Sequence, residues 1–119
     1  KKIYTSCYAL NYRNPNAIGI SFILPSNFDG KSMSKLAPTS GMITRIKSWV
    51  QEGNIAKEYV EHYIGILEER GITARGLVDE LPDGAVLLCY EMPGEFCHRR
   101  VLADWIYEQT GVVVEEAKS

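Results

Sequence analysis

Within the segment Val86 to Tyr107, VLLCYEMPGEFCHRRVLADWIY, two thiols, a carboxylate, an imidazole and a guanidinium fall at Cys89, Glu91, Cys97, His98 and Arg99. Three chemistries compete for this set. A thiol at a helix N-terminus beside an imidazolium and a guanidinium has a lowered pKa, which a nucleophilic or redox cysteine needs. Cys97 is that candidate, with His98 or Glu91 as proton carrier. Cys89, Glu91, Cys97 and His98 are also zinc-type ligands, but Cys-x7-Cys-His is not an established zinc spacing. Adjacent Cys97 and His98 are awkward partners for one ion, so no metal and no cofactor is expected. Third, a helix start together with Arg99 holds a phosphate or carboxylate without any catalysis. Against all three stands the plain alternative that Cys89, Cys97 and His98 are packed core residues.

These residues need a strand end and a helix start to position them. AVLLCY (85–90) is a continuous apolar run of buried-strand length, entered by the turn Pro82-Asp83-Gly84. The helix after it runs from about Glu95 to Thr110 and stops at Gly111, with Val101, Leu102, Trp105 and Ile106 as its inward stripe. One turn back from that stripe lie Cys97 and His98, so both are expected in the first turn on the inward face. Arg100 has Asp104 four residues on, and an exposed helix pair accounts for it.

The remaining elements read as follows. KIYTSCYAL (2–10) and AIGISFIL (17–24) are strands separated by the turn NYRNPN. The polar stretch GKSMSKLAPTSG (30–41) is a candidate binding loop. A helix capped by Thr39 or Ser40 carries Met42, Ile43, Ile46, Trp49 and Val50 and ends at Gly53. Asn54 caps a longer one with Ala56, Tyr59, Val60, Tyr63, Ile64 and Leu67 on one stripe, closed by Gly71. Thr73 caps a short helix through Glu80, and VVVEE (112–116) is a final strand. A fully apolar central strand among alternating strands and helices specifies an α/β domain: one Rossmann-like, three-layer unit over 1–119, with a small, mainly parallel sheet flanked by helices. Ligands of such sheets bind beyond the carboxyl ends of the strands. Ser6, Tyr8 and Ser26, near the ends of the first two strands, then face the same mouth as Cys97. Tyr59 and Tyr63 are core aromatics or an aromatic wall, and Lys35 is placed to reach an anion. Cys7 reads as core and His62 as surface.

Composition narrows the function classes. Of 119 residues 45% are apolar and 24% charged, which is ordinary for a globular domain. Thirteen basic and fifteen acidic residues give a net charge of −2 without a block of either sign, so no basic footprint for nucleic acid is present. No apolar run approaches the roughly 20 residues of a spanning helix, and no apolar leader follows Lys1 and Lys2. Three cysteines, an odd number, argue against a disulfide scaffold and for a reducing, cytoplasmic setting. A homodimer is the default assembly for so small an α/β domain.

At LLCYEMPGEFCHRRVLADWI the sequence resembles the domain-of-unknown-function family four-eighty-eight. That family pairs a strand ending in Cys-x-Glu with a Cys-His-Arg helix start, and Cys89, Glu91, Cys97, His98 and Arg99 occupy those positions. IYTSCYA, the Ser26 region, LAPT and the Tyr59 and Tyr63 pair are similar to the family as well. The resemblance implies a compact α/β domain with a pocket around these residues and implies no substrate. Longer members resemble a full strand-helix-strand opening, from which the brief NYRNPN connection departs. The expected function is that of a domain that senses or sequesters a small anionic, nucleotide-derived ligand at Cys89–Arg99, with Tyr59, Tyr63, Ser6, Tyr8, Ser26 and Lys35 as further contacts. Its rivals are a cysteine-dependent enzyme acting on a nucleotide-like molecule through Cys97, His98 and Glu91, and a structural or protein-interaction module.

Overall fold

The computed structural model describes residues 1–42, 55–91 and 97–117; the helix expected from Met42 to Val50 lies largely outside them. Strands β1 (Ile3–Cys7), β2 (Ala17–Gly19), β3 (Lys31–Ser32), β4 (Ala85–Cys89) and β5 (Val114–Glu116) form one sheet in the order β3-β2-β4-β1-β5. Every pairing is parallel. β4 lies between β1 and β2, with Cys7 opposite Cys89 and Gly19 opposite Leu88. Its five residues are all buried, which is why the sequence there shows no polar alternation.

Alternation along β4 splits the core in two. Ala85 and Leu87 face α2 (Ile55–Glu69), α3 (Ala74–Glu80) and α4 (His98–Thr110), joining Ile3, Ile18, Tyr63, Leu67, Leu77, Leu102 and Ile106 in the larger cluster. Val86 and Leu88 face the other way, against Tyr8, Ala17 and Phe28, with Tyr4, Tyr12 and Leu24 packed around them. Among the described residues, the covering on this face holds no long helix. A four-residue α1 (Tyr8–Asn11) and the aromatic loop after β2 contribute to it, where each buried aromatic ring covers a large apolar area.

Local signals account for most element ends. Thr73 caps α3, its hydroxyl accepting from the Gly76 amide at 3.1 Å. Gly111 ends α4 with φ of 77°, where a side chain would be strained, and its amide donates to the Tyr107 carbonyl. α4 starts three residues later than about Glu95: Cys97 is its N-cap in extended geometry, and only His98 onward is helical. β1 yields to α1 at Tyr8, and β2 ends at Gly19 rather than Leu24. Phe22 and Ile23 are 52% and 67% exposed, so the apolar run ISFIL leaves the sheet. Within the expected loop 30–41, Lys31 and Ser32 pair with β2 and Ser34–Leu36 makes a turn of 3-10 helix. At Gly19 a Cβ would stand 2.7 Å from the Tyr8 hydroxyl oxygen and 2.6 Å from Leu24 Cδ2. The missing side chain is what lets Tyr8 lie across the end of β2.

Candidate functional site

A cavity of about 380 Å³ opens at the carboxyl ends of β2 and β4, lined by Ser21, Phe22, Ile23, Pro38, Tyr59, Cys89, Tyr90, Glu91 and His98. This is where a parallel sheet presents ligand sites, and the volume falls within the range of small-molecule pockets. Four of the expected site residues meet in its wall: Tyr59 from α2, Cys89 and Glu91 from the end of β4, and His98 from the first turn of α4.

His98 is buried, and burial holds its pKa down at about 4, opposed by a hydrogen bond to Ile20 and reinforced by the Arg99 charge. Its Nε2 lies 2.8 Å from the Ile20 carbonyl oxygen. A carbonyl only accepts, so Nε2 carries the proton and Nδ1 keeps a lone pair. That lone pair faces Cys97 Sγ at 3.7 Å. Tyr63 packs its ring edge-on to the imidazole, centroids 5.5 Å apart, and donates its hydroxyl to the Leu36 carbonyl. Tyr63 therefore fixes the imidazole from behind and is not in the cavity wall.

Cys89 and Cys97 are joined by a disulfide, with Cα atoms 7.6 Å apart, and Cys7 is buried outside it. This corrects the expectation of unpaired thiols: in this state Cys97 is no nucleophile. The two strand-end and helix-start sulfurs and the His98 nitrogen lie within 4.8 Å of one another, all buried. Extended geometry at Cys97, φ −150° and ψ 148°, followed by helical His98 is what brings two adjacent side chains to one point.

Arg99 is the second departure. It is 1% exposed and lies outside the cavity wall. Its Nε and Nη2 donate to the Glu116 carboxylate at 2.7 to 3.2 Å, and its Nη1 donates to the Glu91 carbonyl at 2.7 Å and the Cys89 sulfur at 2.8 Å. Glu116 feels burial, which raises its pKa. The hydrogen bonds from Arg99 and Thr5 and the charges of Arg99 and Arg100 outweigh that and bring it below the usual value. The guanidinium thus holds the backbone of the cavity rim and not a ligand anion. Arg100, expected to pair with Asp104, instead donates to Thr5 Oγ1 at 2.8 Å and the Val114 carbonyl at 3.2 Å. Both arginines fasten β5 to the sheet.

The other candidates divide. Tyr8 is buried and supports the wall from outside: Ser21 donates to the Ile23 carbonyl, so the Tyr8 hydroxyl donates to Ser21 Oγ at 2.7 Å. Its ring also meets Tyr90 edge-on at 5.0 Å. Ser6 is buried, accepting from Asn11 Nδ2 away from the cavity. Ser26 is exposed on the loop after β2. Lys35 pairs with Glu80 at the surface, a contact of small energy. Ser21, Phe22, Ile23, Pro38 and Tyr90 belong to the wall as well, although their sequence context marks them only as strand or loop. Their signal was the position of Ser21–Ile23 and Tyr90 immediately beyond strands ending at a common mouth.

The wall is mostly apolar and aromatic, with Ser21, Glu91, His98 and the Tyr59 hydroxyl as its polar groups. Burial and then the Glu91 charge push the Tyr59 phenol far up, so it stays neutral at physiological pH. None of the described wall residues is a lysine or arginine. Among the described residues no helix is long and apolar enough to cross a membrane. Comparison with family models, with curated proteins and with solved structures finds no match.

Proposed function

We propose that the protein binds a small heteroaromatic, nucleoside- or nucleotide-like molecule in the strand-end cavity. The observation that carries this reading is the composition of the wall: Phe22, Ile23, Pro38, Tyr59 and Tyr90 offer apolar and aromatic surface to a flat ring, while the Glu91 carboxylate and the remaining lone pair of Ser21 Oγ offer acceptors to its edge. An anionic group on that ligand finds its support at the start of α4, where the first backbone amides have no helical partner and the helix dipole is positive. Recognition is led by the ring and seconded by the charge, since Arg99 is already paired. Such a domain senses or sequesters its ligand.

The test is native mass spectrometry of freshly purified protein beside the same sample denatured, followed by thermal melts with adenosine, guanosine and their monophosphates. A released mass of nucleoside or nucleotide size, or a rise in Tm that Phe22→Ala and Tyr59→Leu remove, is the expected result. No released mass and no rise in Tm at millimolar concentrations would count against the reading.

A second reading, a cysteine-dependent enzyme, is favoured by the unprotonated His98 Nδ1 facing Cys97 Sγ at 3.7 Å. Once the disulfide is reduced, that nitrogen is a base within reach of the thiol. Cys97→Ser then leaves binding nearly intact and abolishes turnover. Reduced protein alkylated by iodoacetamide no faster than a free thiol, with access shown by unfolding controls, would remove this reading.

A further inference from the structure

We infer that the reduced protein holds a zinc-type divalent ion on Cys89 Sγ, Cys97 Sγ and His98 Nδ1, with the fourth coordination position open to the strand-end cavity. The inference uses the donor atoms alone and stands whatever organic ligand the cavity takes.

Four observations converge on it. The three donors lie within 4.8 Å of one another and are buried, the two sulfurs bonded to each other in the oxidised state, and two thiolates with an imidazole are a ligand set suited to zinc. The hydrogen bond from Nε2 to the Ile20 carbonyl fixes the tautomer, leaving Nδ1 as a ligand nitrogen aimed at the sulfurs. Metal-bound histidines characteristically donate their other N–H in this way. Zinc–sulfur and zinc–nitrogen bonds of about 2.3 and 2.0–2.1 Å at a tetrahedral angle put sulfur and nitrogen roughly 3.6 Å apart. Cys97 Sγ and His98 Nδ1 are separated by 3.7 Å. Finally, the Cα atoms of Cys89 and Cys97 are 7.6 Å apart, beyond the span of about 4.4–6.8 Å usual for bridged cysteines. Two thiolates sharing an ion, with sulfurs roughly 3.8 Å apart, suit that backbone separation.

Charge also closes. Two thiolates and a neutral imidazole neutralise a divalent cation, and the neighbouring Arg99 is already neutralised by Glu116. The Arg99 Nη1 donation to Cys89 Sγ at 2.8 Å supplies the N–H···S contact that steadies a bound thiolate. Three protein ligands with one open position is the arrangement of zinc sites that act on a substrate or water. Cys89 and His98 both belong to the cavity wall, so the open position faces whatever the cavity holds.

The site is therefore gated by oxidation. In the disulfide form the sulfurs are bonded to each other. A dithiol reductant converts the Cys89–Cys97 disulfide to two thiols and is itself oxidised to a disulfide. The ion then binds as two protons leave, one from each thiol.

Cobalt(II) titration of the full chain, reduced with a phosphine under anaerobic conditions, tests this, because cobalt reports its ligands by absorption. The expected result is one equivalent per chain, with thiolate-to-cobalt charge transfer in the near ultraviolet and intense tetrahedral d–d bands, all displaced by zinc. His98→Gln weakens binding by more than about tenfold, Cys89→Ser removes roughly half of the charge-transfer intensity, Cys7→Ser changes nothing, and unreduced protein shows no bands. Circular dichroism checks that each variant is folded. On unmutated protein, excess zinc raises the Tm of the reduced form only. Absence of the charge-transfer bands in reduced unmutated protein, or His98→Gln folded and binding with unchanged affinity, would overturn the inference. Neither result touches the nucleoside melts, so failure of the metal site is distinguishable from failure of the ligand reading.

Discussion

Cys97, His98 and Arg99 are consecutive, yet they serve two regions that behave differently. On one side of the start of α4, Cys97 and His98 sit beside an open cavity, the His98 lone pair facing the Cys97 sulfur of the disulfide. On the other, Arg99 and Arg100 make a closed network with Glu116, Thr5, Val114 and the Glu91 carbonyl. The difference is one of remaining capacity. Every donor named on the arginine side already has a protein acceptor, so that side is architecture. The cavity side still has positions at which a ligand can be added, so that side is where function is sought.

The strongest way to break this contrast is Arg99→Met. It strands Glu116, the Glu91 carbonyl and the Cys89 sulfur at once, and removing one partner of a buried pair costs about 3–5 kcal/mol. A urea midpoint shifted by that much is expected, whereas a change below about 1 kcal/mol would make the pair a surface-type contact. The next effect is set by pH. His98 is held neutral in the fold, with its pKa near 4 against 6.5 when exposed. Between those values the unfolded chain binds a proton that the native chain does not. Stability is therefore full above about pH 6.5 and falls by about 3 kcal/mol as pH drops toward 4. Urea titrations of the oxidised protein across that range should show the fall, and His98→Gln should flatten it. Glu116, its pKa lowered in the fold, adds a further loss only as pH drops through its own depressed value. Arg100→Met is a smaller change, about 1–2 kcal/mol for its hydrogen bonds to Thr5 and the Val114 carbonyl, again read from the urea midpoint. Smallest on stability is Phe22→Ala, within about 0.5 kcal/mol because its ring is half exposed. It is nevertheless expected to weaken nucleoside binding more than any arginine-side variant that remains folded, and equal weakening by Arg100→Met would erase the contrast.

How far the sequence carried the fold depends on whether the cause was local. Helix α2 was legible because Tyr59, Tyr63 and Leu67 recur at helical spacing and are all buried. So were the Thr73 cap and the Gly111 stop, each decided by one residue's own chemistry. β4 was legible because burial on both faces demands an unbroken apolar run. β3 was not, since Lys31 and Ser32 are exposed and join the sheet by backbone pairing alone. ISFIL misled because its hydrophobicity marks a cavity rim and not a strand. Of the site, Cys89, Glu91 and His98 were found from the strand-end and helix-start argument. The fate of Arg99 was hidden because its partner, Glu116, arrives through the β1–β5 pairing, which no local pattern announces. The disulfide was hidden for the same kind of reason: an odd cysteine count argued for thiols, whereas proximity depends on where β4 ends and α4 begins.

The Arg99–Glu116 pair has a consequence for the order in which the molecule is built. Glu116 lies in β5, which is synthesised after every other described element. Until β5 docks beside β1, Arg99 has no carboxylate partner, and the Glu91 carbonyl and Cys89 sulfur it steadies have an unanchored support. The rim of the cavity is thus fastened by a strand that contributes no residue to its described wall.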